Sequence, residues 1–127
     1  MSTSTASDGL LLCDDMIFAS RITGTARSLG LNVAVAGSLQ ALEKLATEAK
    51  PRGVILDLAL AGAVIDQLVR NLEQWCGTRP RVIAYGSHVD TETLRAARAA
   101  GCDVVLPRSK FVEELPLKLS EWLSPKT

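Results

Sequence analysis

The chain has 127 residues, 47 % hydrophobic and 22 % charged, with 14 Lys+Arg balancing 14 Asp+Glu. That length suits one domain whose core needs neither metal nor disulfide staples, and the balance excludes the basic excess of a non-specific nucleic-acid binder. No run reaches the roughly 18–20 apolar residues of a membrane span, Met1–Ser7 lacks the pattern of a secretory signal, and Cys13, Cys76 and Cys102 show no C-x-x-C spacing. The expectation is a reduced, cytoplasmic, globular protein, with residues 1–8 a disordered tail and residues 9–124 a single domain.

Leu10–Cys13 is a short apolar run that stops at Asp14-Asp15, and reads as a buried strand. From Ile17 to Leu29 the residues Phe18, Ile22, Ala26 and Leu29 recur at helical spacing, with Gly30 as a stop. Asn32–Ala36 is a second strand. Ser38 can cap a helix over Leu39–Ala49, broken by Lys50-Pro51. Gly53–Leu58 is apolar on both parities, as a central parallel strand covered on both faces should be. A loop through Ala61-Gly62 leads to a helix over Val64–Trp75. Arg81–Tyr85, closed by Gly86, is the fourth strand, and Asp90 can cap a helix over Thr91–Ala100. Asp103–Leu106 is the fifth strand. The last helix carries Leu115, Leu119, Trp122 and Leu123, with Pro116 placed in its first turn because an interior proline loses a hydrogen bond and clashes. Five strand–helix units in succession predict an α/β fold, a doubly wound parallel sheet between two layers of helices.

Open parallel sheets bind ligands beyond the carboxyl ends of their strands. Asp14 and Asp15 follow strand one and Asp57 ends strand three, so neighbouring strands would bring three carboxylates to one crevice. Such a group favours a hard cation such as Mg²⁺. Arg108 follows strand five at the same end, and its planar fork suits a phosphoryl group. These parts permit phosphoryl transfer to a carboxylate, with Asp57 attacking in line. Taken singly, each aspartate has a plainer reading, as a helix cap or a turn residue.

Three stretches carry a resemblance: Leu11-Leu12-Cys13-Asp14-Asp15, Pro51-Arg52-Gly53-Val54-Ile55-Leu56-Asp57 and Ala99-Ala100-Gly101-Cys102-Asp103. The chain resembles a response-regulator receiver domain, the phosphoacceptor module of bacterial two-component signalling, from about Gly9 to Leu123. The resemblance implies a flavodoxin-like (βα)5 fold with strand order 2-1-3-4-5. It implies Asp57 as phosphoacceptor, and Mg²⁺ or Mn²⁺ held by Asp57, Asp15, Asp14 (through water) and the backbone carbonyl of Ala59. It implies a signalling domain rather than an enzyme, with at most self-catalysed phosphoryl transfer and autodephosphorylation. The implied partners are a histidine kinase or phosphotransfer protein, a downstream effector, and a second copy of the chain through the face of helix four, strand five and helix five. Neither nucleic acid nor membrane is among them.

The switch half departs from the pattern. Tyr85-Gly86 stands where receivers carry Thr or Ser followed by Ala, and Val105 replaces an aromatic rotor. Arg108 takes the place of the usual Lys, with Lys110 as the other candidate and Ser87 as a substitute hydroxyl. His88 reads as a solvated loop residue near the site, and Cys13 and Cys102 as packing, with Cys76 more exposed. A stand-alone receiver is therefore the leading reading, and a phosphorylation-independent pseudo-receiver acting as an interaction module is the alternative. An Asp-based phosphatase would want a second acid where Ala59 stands. A flavin or nucleotide binder would want a Gly/Ser/Thr-rich loop in place of Asp14-Asp15-Met16-Ile17.

Overall fold

The computed structural model describes residues 7–124. Residues 1–6 of the expected tail lie outside the described residues. Asp8, at the end of that tail, is bonded into the domain: its carboxylate accepts the Asn32 N–H at 2.7 Å and its carbonyl accepts the Arg52 N–H at 3.2 Å.

Five strands alternate with five helices: β1 (Gly9–Leu12), α1 (Met16–Ser28), β2 (Val33–Ala36), α2 (Leu39–Ala49), β3 (Gly53–Asp57), α3 (Ile65–Cys76), β4 (Arg81–Gly86), α4 (Thr91–Ala99), β5 (Val104–Pro107) and α5 (Arg108–Trp122). All neighbouring strands pair in parallel, in the flavodoxin-like order β2-β1-β3-β4-β5. This puts β1 beside β3, and Leu12 pairs with Leu56 in register. Asp57 pairs with Tyr85 across β3 and β4, and Gly86 with Pro107 across β4 and β5.

Side chains alternate between the two faces of the sheet. Leu10, Leu12, Val54, Leu56, Val82 and Ala84 pack with α2, α3 and α4 through residues such as Leu42, Leu72 and Leu94. Leu11, Ile55, Ile83 and Tyr85 pack with α1 and α5 through Phe18, Ile22, Phe111, Leu115, Leu119 and Trp122. Each fully buried leucine or isoleucine adds about 1.5–3 kcal/mol to the driving force. At the amino end of the sheet, Gly9 and Gly53 lie so close under Leu123 that a Cβ on either would meet its methyl groups at 2.7 Å.

The helix starts follow local chemistry. Ser38 caps α2 by accepting the Ala41 N–H at 3.1 Å, and Asp90 caps α4 by accepting the Thr93 N–H at 3.2 Å. Three features differ from the sequence reading. The stretch after β3 is not a loop: Leu58–Ala61 forms one helical turn and Gly62–Val64 a 3-10 turn. Asp57 caps that turn, and the alternation of leucine and alanine favours it. Pro116 lies inside α5 rather than in its first turn, because the helix begins directly at Arg108. The buried stripe Phe111, Leu115, Leu119 and Trp122 holds the helix together across the break. Finally, Cys76 is buried while Cys102 is half-buried, the reverse of the expected order, since the last turn of α3 packs onto the core.

Candidate functional site

The carboxyl ends of β3, β4 and β5 deliver Asp57, Tyr85 and Arg108 to one place. Asp57 is the last residue of β3 and only 4 % exposed, the one charged side chain buried among the described residues. Burying a carboxylate is costly unless it is paired and hydrogen-bonded. Its Oδ1 accepts the Ala59 N–H at 2.9 Å, and its Oδ2 lies 3.7 Å from Arg108 Nη2. Arg108 opens α5 directly after Pro107, so its backbone position is fixed by the end of β5. The guanidinium is centred 4.4 Å over the Phe18 ring and 5.8 Å from the Tyr85 ring.

Tyr85 is fully buried, and among the described residues its hydroxyl has no hydrogen-bond partner of good geometry, the Cys13 thiol being its polar neighbour. Burial first, then the neighbouring Cys13 thiol and the Asp57 charge, hold the phenol protonated, far above its ordinary range. Its ring belongs to an aromatic stack on the α1–α5 side. Tyr85 lies 5.2 Å from Phe18 and 4.6 Å from Phe111, and Phe111 lies 5.7 Å from Trp122. A cavity of about 830 Å³ opens beside Asp57 and Arg108, between α1, the β4–α4 loop and the start of α5.

No family model matches the sequence, and no curated protein matches it. Solved structures do. The chain is similar to a putative response regulator from Chloroflexus aurantiacus J-10-fl, at 22 % identity and TM-score 0.76, covering 93 % of this chain and 98 % of that one. It is similar to a response regulator from Thermotoga maritima, at 16 % identity and TM-score 0.76, covering 91 % and 95 %. It is also similar to a response regulator protein from Burkholderia pseudomallei with a phosphorylated aspartic acid, calcium ion and citrate. There the identity is 21 % and the TM-score 0.69, covering 89 % and 68 %. The chain has the receiver fold.

On that receiver fold the sequence-predicted residues fall into two groups. Asp57, Ala59, Gly86, Ser87 and Arg108 all line the cavity, as does His88. The Ser87 hydroxyl accepts the Val89 N–H at 3.3 Å. Gly86 leaves little room, since a Cβ there would meet Leu58 at 3.3 Å. Lys110 does not line the cavity: it pairs along its own helix with Glu113 at 3.2 Å and Glu114 at 3.8 Å. Those carboxylates, Glu113 foremost, hold its ammonium above the ordinary lysine value. Val105 packs against the opposite core, with α4, away from Tyr85.

Asp14 and Asp15 are both exposed and stand outside the cavity lining. Asp15 caps α1, its Oδ1 accepting the N–H groups of Ile17 at 3.0 Å and Phe18 at 3.1 Å. A receiver fold implies a divalent cation here, and the donor chemistry fits one. Among the described residues, Asp57 Oδ2 and Asp15 Oδ2 accept no hydrogen bond, and the Asp14 carboxylate has neither a hydrogen bond nor an ion pair. Those are hard oxygen donors. The described residues gather no group of three metal-ligating side chains, so a cation would have to draw Asp14 and Asp15 toward Asp57.

Phe18 is the site residue that the sequence does not announce. Its spacing with Ile22 and Ala26 reads as an ordinary core position, and nothing local reveals a cation over its ring.

Proposed function

We propose that the chain is a response-regulator receiver domain that accepts a phosphoryl group on Asp57 and signals through protein contacts. One observation carries this reading: a single buried carboxylate at the carboxyl end of the central strand, open to a cavity and faced by one guanidinium. A charge kept in so costly a position argues for a chemical role beyond capping a one-turn helix.

The division of labour between the carboxylate oxygens suits an in-line transfer. Oδ1 is held by the Ala59 N–H, which fixes the carboxylate plane. Oδ2 is the nucleophile. It forms an O–P bond while the P–N bond of a phosphohistidine donor breaks, and the electron pair leaves with the imidazole. Arg108 faces the charge that develops on the phosphoryl oxygens. Asp57, Asp14, Asp15 and the Ala59 carbonyl would hold Mg²⁺. A bound divalent cation supplies further neutralisation of those oxygens. The donor protein is a histidine kinase or phosphotransfer protein, and the readout is an effector protein or a second copy.

A second reading, the phosphorylation-independent interaction module, is favoured by one arrangement: Arg108 already faces Asp57, and Asp15 is engaged as a helix cap. Intact mass after incubation with acetyl phosphate and Mg²⁺ separates the two. The receiver reading expects one added phosphoryl group, absent in Asp57→Asn and absent with chelator. A folded protein that gains no mass under any of these conditions belongs to the second reading.

A further inference from the structure

We infer that Phe18 is a positioning residue for Arg108, and that the pair couples the state of Asp57 to the aromatic stack ending at Trp122. The second half rests on the proposed phosphorylation of Asp57; the first half stands in the resting protein.

The argument begins with what holds Arg108. Its side chain is 46 % exposed and makes no hydrogen bond among the described residues. Its ion pair with Asp57 spans 3.7 Å, at the long end of such contacts. A half-exposed pair of that length returns no more than the rotamer entropy lost in fixing an arginine. The face of Phe18, 4.4 Å away, supplies the remaining hold, because a planar guanidinium over a ring gains both charge–quadrupole attraction and packing. Phe18 is itself fixed at both ends. Its side chain is buried between Tyr85 and Phe111, and its N–H donates to Asp15 Oδ1. The chain of contact therefore runs from Asp15 through Phe18 and Arg108 to Asp57.

The same guanidinium touches the start of the stack. Phe18 and Tyr85 meet it directly, Tyr85 stacks on Phe111 with 26° between ring planes, and Phe111 stacks on Trp122 with 12°. Trp122 reaches the opposite end of the sheet, where its carbonyl lies against Gly53 at the start of β3. A phosphoryl group on Asp57 would add charge and three acceptor oxygens. Arg108 would leave the rings to meet it, and the stack would lose its cation. This route uses the α1–α5 side of the sheet. It needs neither a small hydroxyl at residue 85 nor an aromatic at residue 105.

The test uses the Trp75→Phe protein, in which Trp122 is the remaining tryptophan. In the resting protein, the Arg108 side-chain protons should be shifted upfield by the Phe18 ring current. Phe18→Leu should abolish that shift and Phe18→Tyr should keep it. Unchanged Arg108 shifts in a folded Phe18→Leu protein would overturn the positioning role. With beryllofluoride and Mg²⁺, the adduct is followed by ¹⁹F resonance and the stack by Trp122 emission. Adduct formation should change the emission and remove the Arg108 shift. In Phe18→Leu the adduct should form roughly fivefold more tightly, because the cation–π contact that Arg108 gives up on moving to Asp57 is already absent, and leave Trp122 unchanged. An adduct that leaves wild-type Trp122 and Arg108 signals unmoved overturns the coupling while the receiver reading stands. Absence of any adduct overturns the receiver reading and the coupling together, and the resting comparison still decides Phe18. Should Phe18→Leu not fold, Arg108→Lys asks the same question, since an ammonium keeps the charge and loses the planar face. An adduct with silent Trp122 is expected there, and a full wild-type response would overturn the proposal.

Discussion

Tyr85 stands directly across from Asp57 in the β3–β4 register, yet its ring lies in the α1–α5 core and its buried hydroxyl finds no hydrogen-bond partner of good geometry among the described residues. An unpaired buried hydroxyl carries a desolvation penalty that the ring's packing must offset. Tyr85→Phe keeps the ring and removes that penalty. Urea denaturation at neutral pH should show a gain of about 1 kcal/mol. A loss would mean that the hydroxyl is satisfied after all.

The same residue makes the fold sensitive to alkali. Burial lifts the Tyr85 phenol far above its ordinary value, lifts the Cys76 thiol, and with the Asp103 charge pushes the Cys102 thiol up to about 11. In the unfolded chain these groups release protons near about 10 for tyrosine and about 8.5 for cysteine. Above those values the unfolded state binds fewer protons than the folded one, so stability falls as pH rises. It is fully present below about pH 8. The urea midpoint should decline steadily from pH 8.5 to 11, and a Tyr85→Phe/Cys102→Ser double variant should decline less steeply. Parallel profiles would contradict this account.

Asp57 has two separable roles. Its charge faces Arg108, and its Oδ1 caps the turn Leu58–Ala61. Asparagine can still accept the Ala59 N–H, whereas alanine cannot. Asp57→Asn should therefore stay within about 1 kcal/mol of wild type, since it also relieves a buried charge. Asp57→Ala should lose roughly 1 kcal/mol relative to Asp57→Asn. Equal stabilities in chemical denaturation would show that the cap contributes nothing.

Pro116 interrupts α5 on its exposed side, where it removes one backbone donor and its ring crowds the preceding turn. Pro116→Ala restores both. The gain should be roughly 1–3 kcal/mol, read as a higher thermal midpoint. No gain would mean that the helix is already bent to suit the ring.

The strand–helix rhythm was written plainly in the sequence, because apolar runs such as Val54-Ile55-Leu56 and caps such as Ser38 and Asp90 are local signals. Asp57 was equally legible as the acid that ends the most apolar strand. Pro116 misled because a local rule about proline yielded to the burial of Phe111, Leu115 and Trp122 on the far side of the helix. The turn after β3 is hidden in the sequence because its cap is Asp57 itself, the same residue that ends the strand. The grouping around Arg108 could not be read at all. Phe18, Tyr85 and Arg108 come from three separate elements, and their meeting depends on the direction each side chain takes once the sheet has formed.

The place of Leu123 over Gly9 and Gly53 bears on how the molecule is made. A third of the α1–α5 core cluster, Phe111, Leu115, Leu119, Trp122 and Leu123, comes from the last stretch of the domain to be synthesised. Until that stretch has left the ribosome, α1 alone covers this side of the nascent sheet, and the faces of Ile83 and Tyr85 that α5 will cover stay open to water. The final turn of α5 thus sets the earliest moment at which the native state can close, and any delay there prolongs the exposure of a large apolar surface to chaperones and neighbouring chains.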